Sequence, residues 1–273
     1  MTRLSSAEAP AGRQAVKLAR HYVEKPWGRT RLPPMFDAPA RQRTGEVWFG
    51  HEADLPLLAK YIFTSERLSI QVHPNDDQAR DRGLANGKSE CWYVLEAEPG
   101  ATLGLGLTRR IGADELRAAA LDGSIEELMV WRPVSAGDFV FVPPGTVHAI
   151  GAGISLLEFQ QNSDVTYRLY DYGRPRPLHL DDGVAVSEPA PFSDSLVQHL
   201  RPDDERVLVE GPHFTVVQSG EDQLRDRLRW ILPLSGTARA GEAVAGPGDC
   251  LLVQPGQALE TSEARLLIGA ETL

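Results

Sequence analysis

Cysteine is scarce in this sequence of 273 residues, which contains only Cys91 and Cys250. The two cysteines lie far apart and form no Cys-x-x-Cys pair. Domains that depend on disulfides carry more cysteines at shorter spacings. The scarcity therefore argues against a disulfide framework and for a reducing compartment.

Long apolar runs are also missing. No stretch approaches the roughly 20 apolar residues that a membrane-spanning helix needs. The first residues, MTRLSSAEAPAGRQAV, lack the continuous apolar core of a secretory signal peptide. We therefore expect a soluble, cytoplasmic protein with no membrane partner.

Basic residues are outnumbered by acidic ones. The sequence has 28 Lys and Arg against 38 Asp and Glu, a formal net charge of −10. A nucleic-acid-binding protein normally presents a basic face, so this balance argues against that class of partner. A small anionic substrate remains compatible with the charge, because a few local cations can outweigh a distant field.

Glycine and proline are plentiful, with 25 and 20 residues, and they separate many short segments of strand-like alternation. This pattern predicts a mainly β protein of antiparallel jelly-roll type. Residues 111–131 differ, because their apolar side chains recur at helical spacing and Gly123-Ser124 divides the run. We predict a small helical insertion there.

Two segments of the sequence align without a gap, GDFVFVPPGTVH at 137–148 and GDCLLVQPGQAL at 248–259. The match reflects either a turn sequence that is common in β proteins or the duplication of a structural unit. We favour duplication, in which the second copy has Leu259 where the first has His148. The predicted domains are an N-terminal unit over 1–183, a linker over 184–206 and a degenerate C-terminal unit over 207–273 without metal ligands.

The stretch LSIQVHPND (68–76) alternates like a strand and places Ser69, Gln71 and His73 on one face. The apolar residues between them form the opposite face, which we expect to pack on a core. The polar face either meets solvent or lines a pocket.

Two further side chains could join Gln71 and His73. Glu90 begins the next predicted strand, and His148 follows a Pro-Pro-Gly-Thr turn whose Gly, Pro and His spacing resembles the second signature of the cupin superfamily. The Asn that often closes that signature is replaced by Ala152. Together the four residues offer a nitrogen and oxygen ligand set, which suits one Zn2+ per chain, or Mn2+, Fe2+ or Ni2+.

A dense polar stretch follows, SDVTYRLYDYGRPRPLHL at 163–180. It is either a surface charge cluster or a cationic wall beside the metal, since Arg suits phosphate and carboxylate oxygens. Its charged side chains include Asp164, Arg168, Arg174, Arg176 and His179.

The chain resembles the type I phosphomannose isomerases, a zinc-dependent cupin family, in LSIQVHPND, in GKSECWYVLEAEPGA and in most of residues 134–182. The resemblance implies two cupin units and the interconversion of mannose 6-phosphate and fructose 6-phosphate through an enediol or enediolate. It places the metal ligands on Gln71, His73, Glu90 and His148. It also places catalytic residues on Lys88, Asp164 and Arg168, with the proton-transfer base left open between Lys88 and Asp164.

Other functions remain open from the sequence. A non-catalytic cupin that binds a sugar phosphate would need the cations but has less use for an acidic metal. A cupin dioxygenase would use similar ligands with iron, and a storage cupin would need no convergent polar groups. We expect a monomer whose only partner is a small sugar phosphate.

Overall fold

The structure is a computed structural model that describes residues 14–37, 42–50 and 55–272. The N-terminal stretch, which we do not expect to be a signal peptide, lies outside the described residues up to residue 13. None of the helices in the described ranges is long and apolar enough to cross a membrane.

Strands make up most of the described chain, as predicted. In chain order they are β1 Val16–Lys17, β2 Arg20–Arg29, β3 Thr44–Phe49, β4 Leu57–Phe63, β5 Ile70–Val72, β6 Glu90–Ala97, β7 Thr102–Leu107, β8 Met129–Pro133, β9 Asp138–Val142, β10 His148–Ile150, β11 Ile154–Gln161, β12 Tyr167–Tyr170, β13 Val197–His199, β14 Arg206–Glu210, β15 Phe214–Ser219, β16 Arg229–Ala240, β17 Ala243–Ala245, β18 Leu251–Val253 and β19 Glu260–Glu271. The helices are α1 Asp76–Arg80, α2 Ala113–Asp122, α3 Ile125–Leu128 and α4 Leu180–Val186, with a single 3-10 turn at Asp194–Leu196.

The strands form three antiparallel sheets. The front sheet has the order β12-β5-β10-β7-β8, and the central sheet has the order β13-β9-β6-β11-β4-β3-β2. The C-terminal sheet has the order β1-β18-β16-β19-β15-β14, with β17 paired to β16. The prediction of a mainly β fold is confirmed, although the described strands do not close into a continuous barrel.

Apolar clusters fill the spaces between these layers. Between the central and C-terminal sheets lie Tyr61, Phe159, Phe214, Trp230 and Leu267, among others. Between the front and central sheets lie Trp92, Val94, Leu103, Leu156 and Ile150. Behind the front sheet, the helices pack on Ile70, Val72, Ala149 and Leu169. The central sheet is therefore covered on both faces.

Burial on both faces explains the long apolar strands of the central sheet. Every residue of β11 is buried. Successive side chains of a strand point to opposite faces, so Leu157 and Phe159 join the cluster toward the C-terminal sheet, and Leu156 points toward the front sheet. Glu158 shares the face of Leu156, which brings a carboxylate into the space between the front and central sheets.

The helical insertion forms as two helices, as predicted, but it ends earlier. Gly123 closes α2 with a φ of 86°, a left-handed conformation that glycine adopts without a Cβ clash. The helices stop at Leu128, and Met129 begins β8 by pairing with Leu107. The prediction that helix extends to residue 131 is therefore wrong, because sheet pairing captures the last apolar residues of the run.

The two aligned segments adopt matching turns. Gly137 and Gly248 have φ values of 93° and 90°, and Gly145 and Gly256 have values of 82° and 77°. At each of these positions a Cβ would be strained, which accounts for the repeated glycines. The matching backbone supports the duplication, and the domain boundaries remain a prediction.

The predicted linker contains regular structure. It includes the end of α4 and all of β13, whose Val197 pairs with Val140 of β9. At the other end of the chain, Val16 and Lys17 of β1 pair with β18 in the C-terminal sheet. Strand pairing therefore joins the predicted linker to the N-terminal unit, and it joins the N-terminal unit to the C-terminal unit.

Candidate metal centre and active site

Three buried side chains from three strands converge between the front and central sheets. His73 follows β5, Glu90 begins β6 and His148 begins β10. One ligand atom from each lies within 4.8 Å of the others, and each residue is at most 1% exposed. Residues far apart in the sequence thus meet at one point, as a shared ion requires.

Hydrogen bonds fix the proton positions of both imidazoles. The Nδ1 atoms of His73 and His148 lie 2.8 Å from the backbone oxygens of Val165 and Thr146. A carbonyl can only accept, so each Nδ1 carries a proton and donates it. Each neutral ring then presents an unprotonated Nε2 to Glu90, at 3.5 Å for His73 and 3.3 Å for His148.

The charge state of the cluster favours a metal ion. Burial, with the nearby Lys88 ammonium, lowers the pKa of His73 to about 3, and burial lowers the pKa of His148. Burial alone would raise the pKa of Glu90, but Lys88 and the imidazoles lower it well below its usual value. Neutral imidazoles and an ionised carboxylate are the forms that bind metals.

The carboxylate of Glu90 also lacks partners suited to its burial. Neither of its oxygens accepts a hydrogen bond of acceptable geometry in the described residues. Two ring nitrogens with lone pairs face this carboxylate, and the Lys88 ammonium lies 2.8 Å from Oε2 but leaves Oε1 without a donor among the described residues. A buried carboxylate oxygen without a donor is unfavourable, and a cation held between the three ligands would remove that cost. The residues present therefore fit a divalent ion.

Gln71 stands next to this cluster, in register with His148 on the neighbouring strand. Its Nε2 lies 3.3 Å from Nε2 of His148, and its Oε1 accepts from the hydroxyl of Ser69 at 3.1 Å. The predicted ligand is the amide oxygen, which would reach the cluster if the amide group were reversed. Ser69 can serve either orientation, because a hydroxyl both donates and accepts. The role of Gln71 as a ligand stays a prediction.

A pocket of about 310 Å³ opens beside the cluster. This volume is at the low end of the range for small-molecule sites. Its lining is mostly polar and consists of Lys25, Trp27, Glu46, Lys60, Ile62, Leu68, Ser69, Gln71, Lys88, Ile150, Glu158, Asp164, Thr166, Arg168, Arg176 and His179. Ser69 and Gln71 of LSIQVHPND therefore line a pocket together with Leu68, whereas Ile70 and Val72 pack against the helices.

Comparison with known proteins gives a consistent set of relatives, although no family model matches the chain. Mannose-6-phosphate isomerase ManA of Bacillus subtilis is 34% identical over 272 residues, covering 82% of this chain and 86% of the relative. This chain belongs to the mannose-6-phosphate isomerase family. The enzyme of Streptococcus mutans is 38% identical over 203 residues, covering 70% of this chain but only 63% of that relative.

Solved structures of this family have the same fold. The mannose 6-phosphate isomerase of Bacillus subtilis matches with a TM-score of 0.77 and 27% identity, covering 94% of this chain and 99% of that one. A zinc-bound mannose 6-phosphate isomerase matches with a TM-score of 0.70 and 15% identity, covering 96% and 100%. The cupin fold that the sequence predicted is thereby confirmed.

The predicted catalytic residues of this mannose-6-phosphate isomerase family member lie at different depths. Lys88 is buried, with Nζ at 2.8 Å from Oε2 of Glu90 and 3.3 Å from Nε2 of His73. Asp164 is exposed at the pocket rim. Arg168 lines the pocket opposite Gln71 in the strand register. The structure brings all three to one pocket, and their roles stay predictions.

Sequence reasoning missed a buried ion pair at the pocket floor. Lys60 of β4 and Glu158 of β11 are in register and lie 2.8 Å apart. Glu158 also accepts from the indole nitrogen of Trp92 at 3.1 Å and lies 3.7 Å from Lys88. Burial and the charge of Glu90 raise the pKa of Glu158. The available signal was a single charged residue inside each of two apolar strands, LLAKYIF and ISLLEFQQ.

Arg174, one of the charged residues of the predicted cationic wall, faces elsewhere. It lines a separate surface hollow with Arg67 and Tyr172, and its Nη2 donates to the backbone oxygen of Arg67 at 2.6 Å. Arg176, two residues on, lines the pocket beside the metal cluster. The sequence of an irregular loop does not reveal that these two arginines point in different directions.

Proposed function

We propose that this chain is a metal-dependent aldose–ketose isomerase that interconverts mannose 6-phosphate and fructose 6-phosphate. The observation that carries the proposal is the position of His73, Glu90 and His148 beside a polar pocket that also has arginines. Family membership supports the same activity. A sugar phosphate has hydroxyl oxygens for one end of such a pocket and a dianion for the other.

One divalent ion, Zn2+ first, would be held by Gln71, His73, Glu90 and His148. When bound, it would supply positive charge that stabilises the negative charge developing on the substrate during proton removal. The nitrogen and oxygen ligands are typical of a catalytic rather than a cysteine-closed structural site.

The isomerisation moves one proton from C2 of the aldose to C1 and another from the C2 hydroxyl to the C1 oxygen, so the carbonyl shifts from C1 to C2 and no electron acceptor is needed. Lys88 is the better placed of the two predicted proton carriers, because it is buried beside the cluster. Asp164 is exposed at the rim, where water competes for its proton. The carboxylate of Glu158 lies 3.7 Å from Nζ of Lys88, so it can compensate the charge of the lysine or accept its proton.

Arg168 has a different part in this reaction. It lines the pocket and pairs with no carboxylate within ion-pair distance in the described residues. Its Nε donates to the backbone oxygen of Pro177 at 3.0 Å, so its two terminal nitrogens are available to a substrate anion. We assign it to the phosphate rather than to the proton transfer.

A direct assay tests the function. The purified chain should convert mannose 6-phosphate to fructose 6-phosphate, and metal analysis of the same sample should give about one ion per chain. Removal of the ion by a chelator should abolish turnover, and added Zn2+ should restore it. Tight binding of mannose 6-phosphate without turnover would instead support a non-catalytic sugar-phosphate-binding cupin.

The compartment and oligomeric state belong to the same proposal. Cys91 and Cys250 are free and buried, as suits a reducing compartment. We infer a cytoplasmic monomer, which light scattering and fractionation of the source cells would test.

A further inference from the structure

We propose that Arg176 and His179 complete the phosphate subsite with Arg168, and that Arg174 is not part of it. This inference rests on the proposed function, because it names the residues that would bind the substrate's phosphate. All three side chains come from one segment that begins in β12 and continues to the start of α4. All three line the pocket beside the metal cluster.

The lysines of the pocket are already compensated by buried carboxylates. Each lies within 3.2 Å of its partner: Lys25 with Glu46, Lys60 with Glu158, and Lys88 with Glu90. A buried pair of this kind has little net charge to offer a dianion. The lysine end of the pocket is therefore less suited to a phosphate than its formal count of cations implies.

The arginine end of the pocket offers guanidinium nitrogens that no described carboxylate contacts, although Asp164 also lies at its rim. Asp171 is only 2% exposed and holds Arg176 through two hydrogen bonds, from Nε at 2.6 Å and from Nη2 at 2.7 Å. The same carboxylate lies 3.1 Å from Nη2 of Arg174. One carboxylate thus serves two guanidinium groups. Nη1 of Arg176 stays available, and its direction is fixed by the bidentate contact.

His179 is held as a neutral hydrogen-bond donor. Its backbone N–H donates to the oxygen of Arg168 at 2.8 Å, and its Nδ1 accepts from the backbone N–H of Arg168 at 3.2 Å. An accepting Nδ1 leaves the ring proton on Nε2. Burial and the charge of Arg168 lower the pKa of His179, which favours this neutral form. Nε2 has no hydrogen-bond partner among the residues that the structure describes.

The strand register sets the distance between the two ends of the pocket. Arg168, Gln71 and His148 are direct neighbours on β12, β5 and β10. Adjacent strands lie about 4.8 Å apart, so Arg168 is on the order of 10 Å from His148. This spacing matches the length scale of an extended hexose 6-phosphate, with its reacting carbons near the metal ligands and its phosphate near the arginines.

Inorganic phosphate is the probe for the test, measured as a competitive inhibitor of the metal-loaded protein and by calorimetry. Arg176→Ala should weaken phosphate binding about 10-fold or more, as expected for a lost hydrogen bond to a charged group. It should raise KM for mannose 6-phosphate similarly, with kcat and metal content nearly unchanged. Arg174→Ala is the matched control, because it shares Asp171 but faces the other hollow, and it should change phosphate binding less than about 2-fold.

Two variants separate the atoms of His179. His179→Asn keeps an acceptor near the position of Nδ1 but removes the distal donor, and we expect phosphate binding to weaken about 5-fold to 10-fold. His179→Gln places an amide N–H near the position of Nε2 and should recover most of the affinity. A merely structural role would give the opposite order, because asparagine better preserves the backbone contact.

The outcomes distinguish this inference from the proposed function. Unchanged phosphate binding in Arg176→Ala and His179→Asn, with a wild-type protein that isomerises, overturns the subsite alone. An effect of Arg174→Ala equal to that of Arg176→Ala overturns it as well. If the wild-type protein binds phosphate but has no isomerase activity, and the variants lose phosphate binding, the subsite is retained and the proposed function is rejected. Arg176→Lys replaces Arg176→Ala if the latter fails to fold, and should lose affinity because lysine cannot keep the bidentate contact.

Discussion

The two aligned turns end on residues with opposite surroundings. After the first turn, His148 is fully buried among His73, Glu90 and Gln71. After the second, Leu259 is nearly buried in an apolar cluster with Ile231 and Leu251, among others. The backbones match at four glycines with positive φ, yet one turn delivers a metal ligand and the other a core side chain.

This difference shows that the turn itself does not create a metal site. A ligand in such a position also needs partners on neighbouring strands, a carbonyl to orient its ring and cations to compensate the carboxylate. The first unit supplies Glu90, Thr146 and Lys88 for these purposes. Around Leu259 the second unit supplies apolar side chains, so this position contributes to packing.

Making the first turn resemble the second should have the largest effect. His148→Leu removes one ligand and leaves Glu90 with one imidazole neighbour, His73, instead of two. We expect metal content to fall from about one ion per chain to below about 0.1, and turnover to fall at least about 10³-fold, since the ion supplies several kcal/mol. Metal analysis and the isomerase assay check this. Leu259→Met is the matched control, which should retain the ion, and a fully metallated His148→Leu protein would contradict the assignment.

Truncating the side chain that follows the second turn should lower stability and leave metal content unchanged. Leu259→Ala removes a nearly buried side chain from an apolar cluster. The free energy of unfolding should fall by about 3 kcal/mol, as is usual for such a cavity. Denaturant titration measures this change, and the metal content of the folded variant should equal that of the wild type. A loss of metal without a loss of stability would mean that the units are not separated in function.

Removing the uncompensated cation of the first unit should impair substrate use. Arg168→Ala leaves the pocket without an arginine that lies in register with Gln71. We expect kcat/KM for mannose 6-phosphate to fall about 100-fold, because charged hydrogen bonds contribute about 1.5–3 kcal/mol each. Steady-state kinetics with Arg174→Ala in parallel gives the comparison. A catalytic efficiency near that of the wild type would reject the assigned role.

Neutralising the buried carboxylate beside Lys88 should have a smaller kinetic effect. Glu158→Gln keeps the size of the side chain but removes the charge that compensates Lys60 and Lys88. We expect kcat to fall about 10-fold, because the electrostatic surroundings of Lys88 change. Metal content should stay constant, because the metal ligands are unchanged. Glu260→Gln, at an exposed position of the C-terminal sheet, should have no effect.

The smallest effect is expected at the contact between β1 and the second unit. Lys17 is half-exposed and pairs with Asp249 at 2.6 Å, while Arg20 pairs with the same carboxylate at 2.7 Å. Lys17→Ala should therefore lower the free energy of unfolding by less than about 1 kcal/mol, as is usual for exposed pairs. A larger loss by denaturant titration would show that β1 anchors the C-terminal sheet more strongly than this ion pair implies.

Much of the metal cluster could be predicted from the sequence because its signals are local. The alternation around Gln71 and His73 and the turn before His148 each define a strand face. The deeper parts of the pocket depend on strand pairing, which local patterns do not reveal. The pairing of Lys60 with Glu158 requires knowing that β4 and β11 are neighbours in register.

The arginine segment was the least predictable part. Arg174 and Arg176 have similar sequence surroundings and both contact Asp171, so only the path of the loop directs Arg176 into the pocket and Arg174 into the separate hollow. The tautomer of His179 depends on a backbone hydrogen bond to Arg168 that no sequence pattern encodes. Likewise the end of the helical insertion was missed, because Met129 is captured by the edge of the front sheet.

The apolar layer shared by the central and C-terminal sheets has a consequence for anyone who divides this protein. Aromatic residues from both sides, such as Tyr61 and Phe159 against Phe214 and Trp230, form one continuous cluster. A fragment cut within residues 184–206 would expose half of that layer to water and would also separate β1 from the sheet that receives it. The half that holds the metal cluster should therefore be studied as part of the whole chain, because the second half covers one apolar face of the central sheet.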